Sequence, residues 1–356
     1  MKKRVVFTVL GSLLWLSCGN NHDMMYSPEY QYPSYTKDMQ VPTGEHGETF
    51  KEIKENPFVE VSSQPVSTFS VDVDRAAYSN IRRMIQQGTL PPKDAVRIEE
   101  MINYFDYDYP TPDAQTPSPL RVSYEQAPAP WNTTHYLLRI GLKTKPLDLS
   151  NTPASHLVFL IDVSGSMMDY NKLPLLKSSL KLLLQNLKPQ DKVSIVTYAS
   201  GTQVALEPTS VREREKIEKV LDGLEAGGAT SGEQGIQLAY EQAHKAFIKG
   251  GNNRIILATD GDFNVGINNP NDLKAFIEKQ REGGVYLSVL GFGMGNYRDD
   301  MSETLADSGN GNYAYIDNLT EAKKVLVNEF GGTLFTVAKD VKLQVEFNPK
   351  YVKQYK

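Results

Sequence analysis

From residue 156 onward, short apolar runs alternate with amphipathic stretches, and that alternation limits the chain to a small set of folds. The apolar runs cover residues 156–162, 193–198, 202–206, 254–259, 285–291 and 313–316. Between them, residues 173–187, 212–224, 232–248, 271–282, 301–306 and 320–335 repeat their apolar positions with a helical period. Near-continuous apolar strands are buried on both faces, which happens when helices cover both sides of a parallel sheet. The pattern predicts a doubly wound α/β domain over residues 151–338, built on a mainly parallel, six-stranded sheet.

The flanks read differently. Lys2, Lys3 and Arg4 precede an apolar run over residues 5–17. That run falls well short of the about 20 residues that cross a bilayer, so residues 1–17 are expected to be a signal peptide. Ser17 followed by Cys18 at its end resembles the lipobox of bacterial lipoproteins. The resemblance implies cleavage before Cys18 and a lipid anchor on its sulfur. Residues 18–56 are polar and aperiodic, the composition of a flexible tether. Residues 57–150 mix strand and helix patterns without regular alternation and predict a smaller α+β region. Its helix over 75–87 would turn Ile81, Met84 and Ile85 inward. A second helix, capped by Asp94, would bury Ile98, Met101, Ile102 and Phe105. Strand-like runs follow at 120–125 and 136–143. Beyond residue 338, residues 341–347 alternate again, so 339–356 read as the start of a truncated C-terminal β region. It is expected to pair back with the first region, leaving the α/β domain inserted within a β-rich unit.

In doubly wound sheets, ligands bind at the carboxyl ends of strands where the strand order reverses. Three loops here leave such ends or face them. Asp162, Ser164 and Ser166 follow the first strand at every second position, so an extended backbone points all three to one side. Residues 227–232, with Thr230, precede a helix, and Asp260 follows the fourth strand. Together these loops offer carboxylates and hydroxyls but no sulfur or imidazole, a set suited to Mg²⁺, Mn²⁺ or Ca²⁺. Any one of them alone is as readily explained as turn and capping residues. Jointly, Asp162-x-Ser164-x-Ser166, Thr230 and Asp260 resemble the metal-ion-dependent adhesion site of von Willebrand factor type A domains. The resemblance implies that Ser164 and Ser166 hold Mg²⁺ directly, with Asp162 and Asp260 acting largely through water. Thr230 would act either way. A protein ligand would then offer a carboxylate to the metal. Residues 72–75 and 96–110 are similar to the amino-terminal region of bacterial lipoproteins that carry this domain. That likeness implies an outer-membrane lipoprotein of the bacterial cell envelope, held to the membrane through its N-terminal lipid.

Other function classes fit worse. The formal charge of −5 and scattered basic residues exclude the basic patch that nucleic-acid binding needs. A single cysteine excludes an intramolecular disulfide. The five histidines show no metal-ligand spacing, and there is no Gly-x-Ser-x-Gly elbow, so no enzymatic site is expected. Asp260, Asp262 and Asn264 imitate an EF-hand opening, yet Val265 and Asn271 replace the required Gly and Glu. A metal-dependent phosphohydrolase needs a second acid two residues after the first aspartate, and Ser164 stands there. A scaffold role without metal-dependent ligand exchange is the alternative, because fold alone does not choose among functions.

Overall fold

The structure is a computed structural model that describes residues 47–71, 73–113, 118–229, 233–261, 270–335 and 341–356. The expected signal peptide, Cys18, Asp72, Thr230 and Asp262 lie outside the described residues. Twelve strands occur among the described residues, beginning with β1 (Val59–Glu60), β2 (Val66–Ser70), β3 (Leu120–Ala129) and β4 (Asn132–Thr144). The main sheet contains β5 (Ser155–Asp162), β6 (Lys192–Tyr198), β7 (Thr202–Ser210), β8 (Asn252–Thr259), β9 (Val285–Phe292) and β10 (Tyr313–Ile316). Its order is β10-β9-β8-β5-β6-β7. All neighbours are parallel except β7, which runs antiparallel to β6 at the edge. The chain leaves β5 towards β6 and later returns to β8 on the other side of β5. The order therefore reverses at β5, and this reversal sets the position of the site.

Alternation along β5 divides the interior into two cores. Leu157, Phe159 and Ile161 join one, while Val158 and Leu160 join the other. The first core is closed by α3 (Leu173–Asn186) through Leu173, Leu176, Leu180 and Leu183, a run of three- and four-residue steps. Ile217 and Leu221 of α4 (Arg214–Asp222) complete that face. On the opposite side lie α5 (Glu233–Lys245), α6 (Pro270–Glu282) and α7 (Asp299–Ser308). They contribute Ile236 and Tyr240, Leu273 and Ile277, and Leu305 and Ala306. Each of the buried leucines and isoleucines contributes roughly 1.5–3 kcal/mol. The mainly parallel, doubly wound sheet agrees with the alternation read from sequence.

The flanks join the same body. β11 (Lys342–Glu346) pairs antiparallel with β2, and β12 (Gln354–Tyr355) with β1, as expected of a region that returns to the first. β3 and β4 form a long hairpin. α1 (Ala76–Gln86) buries Ile81 and Met84, but Ile85, expected inward, is 60% exposed. The expected second helix is likewise turned about. α2 (Ile98–Asn103) exposes Ile98 and Ile102, Phe105 just beyond it is also exposed, and the buried residue is Glu100. The reason is electrostatic: Glu100 accepts from the Ala77 amide at 2.7 Å and from the buried Arg97 guanidinium. Asp94 does not cap this helix; its carboxylate accepts from the Ile53 amide instead. Glu48 and Thr49, in the stretch expected to be a tether, dock on the domain. Thr49 bridges to Arg298, and Glu48 accepts from Arg83 at 2.6 Å.

The closing helix is interrupted. α8 (Leu319–Lys323) passes into a π-helical turn at Lys324–Asn328 before α9 (Phe330–Leu334). The Glu329 amide reaches back to the Lys324 carbonyl, one residue beyond α-helical spacing. Lys324 can thereby reach the Tyr104 carbonyl at 2.6 Å while Glu329 meets Arg75.

Candidate metal centre

The rim at the reversal point is assembled by strand register. Ile161 of β5 pairs with Ala258 of β8, so the two chains leave the sheet side by side, one into Asp162 and the other into Asp260. On the other side, Asp162 pairs with Tyr198 at the end of β6. Both carboxylates are fully buried. The Asp162 Oδ1 accepts from the Ser164 amide at 2.8 Å, which turns the chain sharply and sets Ser164 and Ser166 together. Their hydroxyl oxygens lie 2.9 Å apart.

The third loop is held against the first by backbone hydrogen bonds. The Gly165 amide donates to the Gly228 carbonyl at 2.9 Å, and the Gly227 amide to Val163 at 2.8 Å. Gly228 adopts φ +81°, and a Cβ there would lie 2.3 Å from the Ser200 Oγ, so a side chain is doubly disfavoured. Ser200 Oγ in turn accepts from the Ala229 amide at 2.9 Å. Thr230, the remaining expected ligand, follows directly in sequence but lies outside the described residues. Asp162, Ser164, Ser166 and Asp260 are therefore the four expected residues whose positions are described, and all four stand on this rim.

The electrostatics are uneven. The Asp162 Oδ2 is buried and has no hydrogen-bond partner among the described residues. Burial, reinforced by the neighbouring Asp260 charge, pushes the Asp162 carboxyl up to about 6. Asp260 instead meets a cation: the Lys172 ammonium donates to its Oδ2 at 2.9 Å, with both side chains buried. An orphaned carboxylate oxygen beside a pair of hydroxyls is a set of hard donors lacking a hard acceptor, and it fits a divalent cation. Among the described residues no group of three or more His, Cys, Asp or Glu side chains is placed to hold a metal, so the described donors at this rim are carboxylate and hydroxyl oxygens.

Lys172 and Tyr198 escaped the reading of the sequence. Tyr198 ends an apolar strand and looks like core. Lys172 carried a signal, because it occupies the N-cap of α3, where the helix dipole disfavours a cation. A residue that conflicts with its local setting is often serving a longer-range one.

The fold and rim geometry define a von Willebrand factor type A-like domain. Residues 156–328 match the family model described as von Willebrand factor type A domain. Residues 44–139 match one described as von Willebrand factor, and residues 332–356 one described as the C-terminal part of uncharacterized protein YfbK. The chain is similar to uncharacterized protein YfbK of Escherichia coli (strain K12), at 50% identity over 312 residues, covering 86% of this chain and 54% of that protein. It is 29% identical over 193 residues to uncharacterized protein sll0103 of Synechocystis, covering 53% of this chain and 44% of that one. The chain thus spans about half the length of these curated relatives. A von Willebrand factor type A structure from Catenulispora acidiphila superposes with a TM-score of 0.44 at 17% identity, over 62% of this chain and 51% of that one.

Proposed function

We propose that the rim of Asp162, Ser164, Ser166, Thr230 and Asp260 holds Mg²⁺ and that the domain binds a protein ligand through it. The observation that carries this reading is the buried Asp162 Oδ2, which has no hydrogen-bond partner among the described residues, close in the same turn to the Ser164 and Ser166 hydroxyls. A bound divalent ion would supply an electrophilic position open to a carboxylate from the partner. The chain's own residues do the rest. Ser164 and Ser166 present neutral oxygens, Asp162 and Asp260 balance charge, and Thr230, next in sequence after the clipped loop at 227–229, is proposed as the remaining donor. Ser164 stands two residues after Asp162, where a phosphohydrolase of this fold would carry its general acid, and this supports a binding role over hydrolysis.

The test is calorimetric titration of the purified protein with Mg²⁺, followed by pull-down from solubilised envelope with and without EDTA. Heat of binding in wild type, its loss in Asp162→Ala, and partners released by EDTA are the expected results. Partners that persist after chelation would favour the alternative, a scaffold that exchanges no ligand. One observation favours that alternative: Lys172 already neutralises part of the rim. We propose that the protein belongs to the bacterial envelope, lipid-anchored at Cys18; the charged start, the apolar run over residues 5–17 and the Ser17-Cys18 junction support this reading. Metabolic labelling with a radioactive fatty acid, lost in Cys18→Ala, tests this.

A further inference from the structure

A buried lysine is an unexpected neighbour for a cation site, because it brings like charge to the place where a metal would sit. Lys172 is not free to leave. Its side chain is buried, and its ammonium donates to Asp260 Oδ2 at 2.9 Å. Gly293, at the end of β9, packs onto its stem so closely that a Cβ there would stand 2.3 Å from the Lys172 Cε. Gly293 adopts φ +80°, and its carbonyl accepts from the Tyr315 hydroxyl, which holds this clamp in place. The ammonium is therefore a built-in charge of the rim.

Its effect follows from addition of charges. Asp162 and Asp260 contribute two negative charges and Lys172 one positive, so the empty rim carries a net charge near −1. A divalent ion would take it to +1, and a partner carboxylate would then bring it to neutrality. Without Lys172 the same steps run from −2 through neutrality to −1. In a buried setting, where charges are weakly screened, these differences are large. We propose that Lys172 sets the balance of the rim, weakening its hold on the metal alone and reserving positive charge for an anionic partner. The inference rests on the metal-dependent reading above and deepens it, since it specifies an acidic ligand and makes metal and ligand binding mutually reinforcing.

Mn²⁺ alone serves as the probe, measured by calorimetry on the full chain. Lys172→Gln retains a donor for Asp260, Lys172→Met retains the stem, and Lys172→Arg retains the charge. Metal-free melts identify which variants are folded. The neutral variants should bind Mn²⁺ about tenfold more tightly than wild type, whereas Lys172→Arg should stay within about threefold. A lysine that merely props up Asp260 would instead give neutral variants with weaker Mn²⁺ binding. Equal or weaker binding in folded Lys172→Gln or Lys172→Met, with wild type binding normally, overturns this inference alone. Wild type that takes up no Mn²⁺ overturns the metal-dependent reading and this inference with it.

Discussion

Two fully buried aspartates, Asp162 on the rim and Asp299 at the start of α7, are treated in opposite ways by the fold. Asp299 receives both terminal nitrogens of Arg97, which enters from the N-terminal region, and the Tyr313 hydroxyl at 2.7 Å. Asp162 Oδ1 receives the Ser164 amide, the Ser164 and Tyr198 side chains offset its burial only in part, and its Oδ2 has no hydrogen-bond partner among the described residues. The contrast extends to their surroundings. Arg75–Glu329 and Arg82–Asp317 join the N-terminal helix to the domain through matched ion pairs, and Arg83–Glu48 ties the preceding segment to that helix. Among the described residues the rim sets one lysine, Lys172, against the two carboxylates of Asp162 and Asp260. Asp299 is satisfied within the fold, whereas the Asp162 Oδ2 is a buried acceptor with no hydrogen-bond partner among the described residues, as a site that takes up a cation would require.

The largest test of that contrast is Asp299→Ala. Removing Asp299 leaves the buried Arg97 guanidinium with Glu100 and Glu303 but without the carboxylate that receives its two terminal nitrogens, so denaturant melts should show a loss of about 3 kcal/mol. Asp162→Ala should cost the metal-free protein far less, since it removes a carboxylate the fold leaves underpaired. Equal losses at the two positions would break the comparison.

The two ends of β5 provide a second test. His156, at the opposite end from Asp162, donates to or accepts from Ser194 Oγ at 2.9 Å, and burial pushes its imidazole down from 6.5 to about 4. The folded state therefore favours the neutral ring. Its stabilising contribution is complete above pH 6.5 and is lost as pH falls towards about 4. Melts of metal-free protein should register a decline of up to about 3 kcal/mol over that window, flattened in His156→Gln. An unflattened profile would shift the acid sensitivity elsewhere.

Metal should affect the rim and leave the seam alone. With Mg²⁺ at one hundred times its dissociation constant, wild type should gain about 2.7 kcal/mol over the same protein in EDTA. Asp162→Ala and Thr230→Ala should gain nothing, while Arg82→Ala, less stable at the outset, should keep the full increment. The smallest effect is expected at Gly228→Ala. Its positive φ and the Ser200 contact predict a loss of about 1–2 kcal/mol, accompanied by weaker Mg²⁺ binding measured by calorimetry.

Much of this architecture was legible in the sequence because the signal is periodic. Apolar runs such as Val158 to Ile161 are buried on both faces, and Leu173, Leu176 and Leu180 keep one helical stripe, so local spacing alone identifies a covered sheet. The rim was legible for a related reason. Asp162, Ser164 and Ser166 are two residues apart at a strand end, and the strand end is where a doubly wound sheet presents its loops. The flanks were harder. Glu100 turns inward and Ile98 and Ile102 outward because the Ala77 amide on another helix, and Arg97 held by the remote Asp299, outweigh the apolar stripe. The π turn at Lys324–Asn328 likewise answers to Tyr104 and Arg75 across the seam.

By itself, then, the chain's order of residues determined the layering of helices on a mainly parallel sheet and the oxygen donors at its carboxyl end. Both depend on spacing between near neighbours, which the backbone converts directly into direction. Tertiary structure alone decided which buried charges are matched. It brought Lys172 to Asp260 and Arg97 to Asp299, and it left Asp162 short of partners. Coulomb interactions depend on distance in space, and residues 88 or 202 positions apart in the chain become neighbours only once the whole domain has closed.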